Sequence, residues 1–166
     1  MAPPMTADTA WAVLEQVLDP EVPVLSVVEL GIVRHVAMDG GTVNVTVTPT
    51  YSGCPATEVI REAIVGALQA AGAERVAVGM QLAPAWTTDW IAPAAAEKLR
   101  RYGIAPPHLA GAPLVAQPLR FHPRSLHCPR CDSAHTEQLS AFGSTACKAL
   151  YRCLDCREPF DYFKPI

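Results

Sequence analysis

Apolar residues recur at helical spacing through residues 6–18, where Ala10, Val13, Leu14, Val17 and Leu18 share one face. Asp19-Pro20 should end that helix, because the residue before a proline avoids the helical region and proline cannot extend the ladder. Glu21 to Ser26 reads as a loop over the body of the domain. The period then drops to two. Residues 31–38 and 42–48 read as strands joined by Asp39-Gly40-Gly41, a turn whose residues tolerate positive φ. In the second strand Val43, Val45 and Val47 alternate with Thr42, Asn44, Thr46 and Thr48, which predicts one buried and one polar face. Helical spacing returns over 55–71, with Ile60, Ala63, Ile64, Ala67, Leu68 and Ala71 as the stripe and Gly72 beyond its end. Val76, Val78, Met80 and Leu82 mark a third strand over 75–82, and Pro93 opens a last helix that ends at Gly103.

That order, α-β-β-α-β-α, predicts a small α/β (α+β) domain over residues 1–103 with a three-stranded mixed sheet. The helical crossover into the third strand should be right-handed and lay the helices against one sheet face. Residues 104–123 hold five prolines, at 106, 107, 113, 118 and 123, and read as an extended, semi-rigid linker. A second domain occupies 124–166. No internal repeat is present.

Half of the 166 residues are hydrophobic and 17% are charged, a globular composition. The first residues carry no basic start and no apolar export segment, and no apolar run reaches the ~18 residues of a membrane span. A cytoplasmic location is therefore expected, where paired cysteines favour metal or redox chemistry over disulfides.

Two Cys-x-x-Cys pairs, Cys128–Cys131 and Cys153–Cys156, are separated by 21 residues. Each short loop presents two thiolates to one ion, and a hairpin between them brings the pairs together, so one structural zinc site is expected. A segment this small buries too little apolar surface to fold alone; metal binding supplies about 10 kcal/mol of its folding free energy. The symmetrical double knuckle favours zinc over an iron–sulfur cluster at these cysteines. His127 adjoins Cys128 and His135 lies in the hairpin; either could ligate the metal, but each reads first as a surface residue or as a donor to the ligands. Phe142, Phe160, Tyr162 and Phe163 should form the ribbon's minimal core.

Charge narrows the partners. The net charge is −3; residues 1–123 contribute −4 and residues 124–166 contribute +1. Four thiolates on a divalent ion take the tail to about −1. Zinc ribbons that read nucleic acid need a basic face, and this one lacks the net charge for it.

Two further cysteines stand apart from the pairs. Cys54 joins a strand to a helix in Thr48-Pro49-Thr50-Tyr51-Ser52-Gly53-Cys54-Pro55. With Pro55 at the first helical position, its thiolate would meet unpaired backbone N–H groups and the positive end of the helix dipole, which lower a thiol pKa. A half-buried cysteine that merely fills space is the competing reading. No histidine adjoins Cys54 in sequence as a general base, so no catalytic residue is assigned. Cys147 allows three readings: a packed strand residue, a free thiol on a transfer path with Cys54, or a substitute for one of the four ligands.

Asp19-Pro20-Glu21-Val22-Pro23, Val27-Val28-Glu29-Leu30-Gly31-Ile32-Val33, and Thr50 with Gly53-Cys54-Pro55 resemble the MIP18 family of iron–sulfur assembly factors over about residues 8–103. In the tail, Cys128-Pro129-Arg130-Cys131, the run from Phe142 to Cys153 and Glu158-Pro159-Phe160-Asp161-Tyr162-Phe163-Lys164 resemble the PaaD family, the D components of the phenylacetyl-CoA epoxidase system of phenylacetate catabolism. The resemblance implies an accessory factor that helps mature a multicomponent oxygenase, by assembling or delivering an iron or iron–sulfur centre. Its partners would be the reductase or the oxygenase subunit. It makes Cys54 the reactive or cluster-binding thiol and Asp19 and Glu21 the acidic pair of the Asp-Pro-Glu motif; a helix stop and a solvated loop is the alternative for that pair. The rival functions are a non-catalytic structural subunit of the oxygenase, a nucleic-acid-binding regulator and a thiol enzyme acting alone. No carboxylate/His set typical of a di-iron oxygenase appears.

Overall fold

The computed structural model describes residues 5–107 and 126–166, so most of the proline-rich linker lies outside the described residues. Its contacts divide the chain into two compact units, residues 1–95 and 96–166.

The first unit opens with α1 (Ala7–Leu14), whose start is fixed by a reciprocal cap: the Thr9 N–H donates to Thr6 Oγ1 at 3.2 Å, and the Thr6 N–H to Thr9 Oγ1 at 2.8 Å. The helix ends four residues before the predicted stop. Gln16 and Val17 donate back only three residues, to Val13 and Leu14, and the Val17 carbonyl then accepts the Val27 N–H at 2.9 Å. Leu18 bridges Ser26. The final predicted turn thus exchanges helical bonds for pairing with the returning loop, and Asp19-Pro20 sits inside that closed loop instead of capping a helix.

Strands β1 (Val33–Asp39) and β2 (Thr42–Val47) form an antiparallel hairpin, α2 (Ala56–Ala70) crosses over, and β3 (Arg75–Met80) returns parallel to β2. The sheet is mixed, in the order β1-β2-β3. Val43, Val45 and Val47 are buried, as are Ala10 and Leu14 of α1 and Ile60, Ile64 and Leu68 of α2, so the helices and one sheet face share an aliphatic core. Met80 and Leu82 alternate correctly yet stay exposed, because β3 is an edge strand and ends at Met80.

A turn the periodicity did not show locks this unit. The Ser26 N–H donates to Glu29 Oε2 at 3.0 Å and the Glu29 N–H to Ser26 Oγ at 3.1 Å, a capping box around one tight turn. Gly31 follows at φ +69°, and a Cβ there would lie 2.5 Å from the Trp90 carbonyl oxygen. Trp86 Nε1 donates to the Leu30 carbonyl at 2.9 Å, and the Ala92 N–H to the Glu29 carbonyl at 2.7 Å. The segment 86–92 includes a short 3-10 turn, Thr88–Trp90.

Helix α3 (Ala95–Tyr102) begins two residues after Pro93, and Gly103 ends it at φ +96°. In the second unit, β4 (Ile104–Ala105), β5 (Thr136–Ser140), β6 (Lys148–Cys153) and β7 (Pro159–Phe163) form one sheet in the order β4-β7-β6-β5. Ile104 and Ala105, placed in the linker by their neighbouring prolines, therefore pair in parallel with β7. The ribbon is more than a hairpin: β5, β6 and β7 are antiparallel neighbours. Its core gathers Ala105, Leu126, Cys128, Ala149, Cys153, Phe160 and Tyr162. Phe163 is also buried, but Phe142 is 65% exposed, with the Lys164 ammonium 4.4 Å from its ring centre.

Candidate functional site

The chain carries two groupings of sulfur and acid, one in each unit. In the first, Asp19, Glu21 and Cys54 line one small cleft together with Ile32, Val47, Pro49, Thr50, Thr57 and Ile60. Four segments build it: the loop after α1, the residue before β1, the end of β2 and the start of α2. Cys54 is 9% exposed and immediately precedes the boundary residue of α2, Pro55, which lends no side-chain cap to the helix. The Thr57 N–H closes back onto the Cys54 carbonyl at 3.2 Å. Gly53, at φ +78°, has no atom within 4 Å of where a Cβ would stand.

Asp19 is buried, at 5% exposure, and not in a solvated loop. Its Oδ1 accepts the N–H groups of Glu21 at 2.8 Å and Val22 at 2.7 Å, which satisfies two backbone donors that proline-led turns leave open. The aspartate thus shapes the wall of the cleft that Cys54 faces. Glu21 is half-buried at the same wall. The ligand atoms of Asp19, Glu21 and Cys54 do not converge on a point: among the described residues the grouping that does is elsewhere. Thr48, next to the cleft in sequence, is 1% exposed, and its hydroxyl has no hydrogen-bond partner among the described residues.

That second grouping is Cys128, Cys131, Cys153 and Cys156, whose sulfurs lie within 4.8 Å of one another. The first knuckle precedes β5 and the second joins β6 to β7. Sγ of Cys128 is 3.7 Å from that of Cys156, and Sγ of Cys131 is 3.6 Å from that of Cys153. A tetrahedron with Zn–S bonds of about 2.3 Å has edges of about 3.8 Å, whereas a disulfide needs about 2.05 Å. The donor set therefore fits a tetrahedral ion of zinc's size. Each knuckle turns through a non-glycine residue of positive φ directly after its second cysteine, Asp132 at 62° and Arg157 at 63°.

Protons cannot leave these thiols equally. The Cys156 N–H and, against desolvation, the Asp155 N–H bring Cys153 down to about 6. Although the Glu158 N–H favours its thiolate, Cys156 is pushed up to about 12 by desolvation and by the neighbouring sulfurs. A divalent ion removes that conflict by replacing the protons. Asp155 ties the knuckles together, accepting from the Ser133 hydroxyl and lying 3.3 Å from His135 Nδ1; the Ser133 bond first, and His135 second, hold its carboxyl below the usual value. His127 Nδ1 lies 2.9 Å from the Asp132 carbonyl oxygen, and both histidines are exposed outside the sulfur cluster. Cys147 is 3% exposed, with Sγ 3.0 Å from Thr145 Oγ1, and stands outside the four-sulfur grouping.

Two family models match these two regions. Residues 7–80 match an iron–sulfur cluster assembly protein family, and residues 115–164 match the PaaD zinc beta ribbon domain. Over the full chain and 96% of its own length, a protein of Escherichia coli (strain K12) is 53% identical; its name provisionally makes it the D component of 1,2-phenylacetyl-CoA epoxidase. The chain belongs to the PaaD family. Its C-terminal part is that family's zinc ribbon, with a four-cysteine metal-binding cluster. Over 58 residues, 35% of this chain and 16% of the relative, it is 45% identical to a Synechocystis protein named iron-sulfur cluster carrier protein. Two solved structures share the fold of the first unit. A DUF59 domain of unknown function from Bacillus anthracis is 27% identical with a TM-score of 0.50, covering 54% of this chain and 86% of that one. A conserved hypothetical protein from Thermotoga maritima is 30% identical with a TM-score of 0.51, covering 60% and 98%. No helix of the described residues is long and apolar enough to cross a membrane.

Proposed function

We propose that this protein is an accessory maturation factor of the phenylacetyl-CoA epoxidase system, which helps to build an iron or iron–sulfur centre in the reductase or the oxygenase. In this reading Cys54 is the working thiol, and Asp19 and Glu21 form the acidic wall opposite it. One zinc held by Cys128, Cys131, Cys153 and Cys156 folds the ribbon as a docking piece in the cytoplasm. Cys147, expected in a strand, lies buried in the turn just before β6 and fills space there. The domains are 1–103 and 124–166, joined by the linker 104–123.

The observation that carries the reading is the union in one chain of two parts. A sulfur facing an open-sided cleft belongs to a region that matches iron–sulfur assembly proteins, and a ribbon follows that matches the PaaD family. The test is a strain carrying Cys54→Ala, from which the epoxidase reductase and oxygenase are purified without oxygen and assayed for iron and acid-labile sulfide. The variant protein should keep its fold and its zinc while one client loses metal. Clients with full iron and sulfide would refute the role of Cys54. The low exposure of Cys54 favours one alternative, a structural component of the complex in which that thiol is only packed. Fixed-stoichiometry co-purification with a fully active Cys54→Ala complex would establish it.

A further inference from the structure

Resting on that maturation reading, we propose that the second knuckle of the ribbon is the surface on which a client docks, and that it takes an acidic segment of the client bearing one apolar side chain.

The boundary between the two compact units is also a boundary of charge. Residues 1–95 hold ten Asp/Glu and three Lys/Arg, whereas residues 96–166 hold six and ten. The second unit is therefore cationic by four charges, or by about two once its four thiolates hold a divalent ion. Five of its six acids are spent inside the unit. Asp132 pairs with Arg100 at 2.8 Å, Glu97 with Arg101 at 3.0 Å, Asp161 with Lys148 at 3.9 Å and Glu137 with Arg152, while Asp155 holds Ser133 and His135. The surplus left over is positive. Arg130 and Arg157, one on each knuckle, have no ion pair among the described residues.

Arg157 lines an open groove with Arg152, Cys153 and Leu154. No acidic side chain is in that lining, Glu158 included. Leu154 is 49% exposed, although its N–H is fixed to the His135 carbonyl at 2.8 Å. The knuckle thus holds an apolar side chain out in water beside two guanidinium groups. The backbone points the same way. Arg157 has φ 63°, a conformation that glycine would adopt without strain, so the turn itself does not call for arginine. In the first knuckle the same place is taken by Asp132, whose carboxylate is held by Arg100. Among the described residues nothing holds Arg157 in that way.

Such a groove fits a protein segment better than a nucleic acid. Guanidinium forks take carboxylates in paired hydrogen bonds, and an exposed leucine takes an apolar side chain out of water. A phosphate backbone needs a run of cations, which a surplus of about two charges does not supply.

The test immobilises the zinc-loaded full chain and measures binding of the purified epoxidase reductase and oxygenase, and of a short DNA duplex, over a range of salt. One client should bind, and more weakly as salt rises. Arg157→Glu and Leu154→Ser should each weaken that binding about tenfold. Arg130→Glu is the control. It makes the same change of charge on the first knuckle, where the Arg130 Nη2 lies 3.8 Å from where a Gly103 Cβ would stand, and should weaken binding by no more than about twofold. Each variant should keep its zinc and the amide protection of β6, so that lost binding reports the surface and not the fold. The proposal is overturned if neither client binds, if Arg157→Glu and Leu154→Ser leave binding intact, if Arg130→Glu weakens it equally, or if the duplex is captured through Arg157. In any of these cases the maturation reading stands as long as a client from the Cys54→Ala strain lacks iron, whereas normal client iron in that strain removes the reading itself.

Discussion

Stripping the metal from the ribbon should unfold residues 126–166 and leave the first unit native. Two of the four sulfurs, those of Cys128 and Cys153, belong to residues with 0% exposure inside the ribbon's own core, so the ion sits where a larger domain would place aliphatic packing. The rest of that core is Ala105, Leu126, Ala149, Phe160 and Tyr162, with the half-buried Tyr151 packed against them. Structural zinc contributes about 10–16 kcal/mol of folding free energy, while whole domains are stable by only about 5–15 kcal/mol. Loss of the ion therefore exceeds any stability this core can hold, and the expected state is an unfolded ribbon, not a loosened one. The sequence supplies a clean assay. All three tryptophans, Trp11, Trp86 and Trp90, lie in the first unit, where Trp86 is 2% exposed and hydrogen-bonded to the Leu30 carbonyl. On titration with a chelator, tryptophan emission should stay native. Amide hydrogen exchange should lose all protection in β5, β6 and β7 and keep it in β2 and α2. Cys153→Ser should reproduce the chelated state. Protected β6 amides in metal-free protein would refute the argument, as would a red shift of tryptophan emission at the same chelator concentration.

Three further outcomes follow from local geometry. Gly31→Ala combines a left-handed backbone, worth about 1–2 kcal/mol against an L side chain, with a Cβ 2.5 Å from the Trp90 carbonyl, so urea denaturation should show a loss of about 2–5 kcal/mol. Thr48→Val deletes a buried hydroxyl that has no partner among the described residues and should raise stability by about 1 kcal/mol; a loss would mean that the hydroxyl has an acceptor after all. Asp19→Ala removes the acceptor of two backbone N–H groups, at about 1.5–3 kcal/mol each, whereas Asp19→Asn keeps an oxygen there and should cost less than half as much in thermal unfolding.

Element type was readable where burial is one-sided. The β2 alternation and the α2 stripe each follow from a single buried face, and the sheet has the mixed order that a hairpin plus crossover dictates. The departures lie where tertiary bonds outweigh periodicity. Val17 and Leu18 fit a helical stripe, but the Val27 N–H and Ser26 take the bonds that would have continued it. Pro93 suits a helix start, yet the Ala92 N–H is drawn to the Glu29 carbonyl, and α3 begins only at Ala95. Ser26 and Glu29 did carry a readable signal, since Ser-x-x-Glu is the capping-box spacing; it was hidden because one turn offers no repeat to count. The same limit applies to Phe142, whose apolar character suggested core, while the β5–β6 connection leaves it in solvent under the Lys164 ammonium.

The two sulfur groupings differ in legibility for a physical reason. Cys-x-x-Cys spacing encodes its own local geometry, so four ligands could be read from two short strings, and the sulfurs stand at tetrahedral edge distances. The Cys54 cleft encodes nothing locally. Its members are 35 residues apart between Asp19 and Cys54, and only the crossover of α2 over the sheet sets them against one space. Spacing could name the thiol and the acids separately; it could not reveal that Asp19 holds its own loop or that thiol and acids line one cleft. Those two facts alter the chemistry to be expected. A carboxylate oxygen that holds two backbone N–H groups reaches a metal only by releasing them, so the first claim on Asp19 is its own loop. If cargo on Cys54 also draws on Asp19, the Glu21 and Val22 N–H groups lose their acceptor, and their amides should exchange faster in the loaded protein. Unchanged exchange of those two amides on loading would show that Asp19 takes no part in holding the cargo.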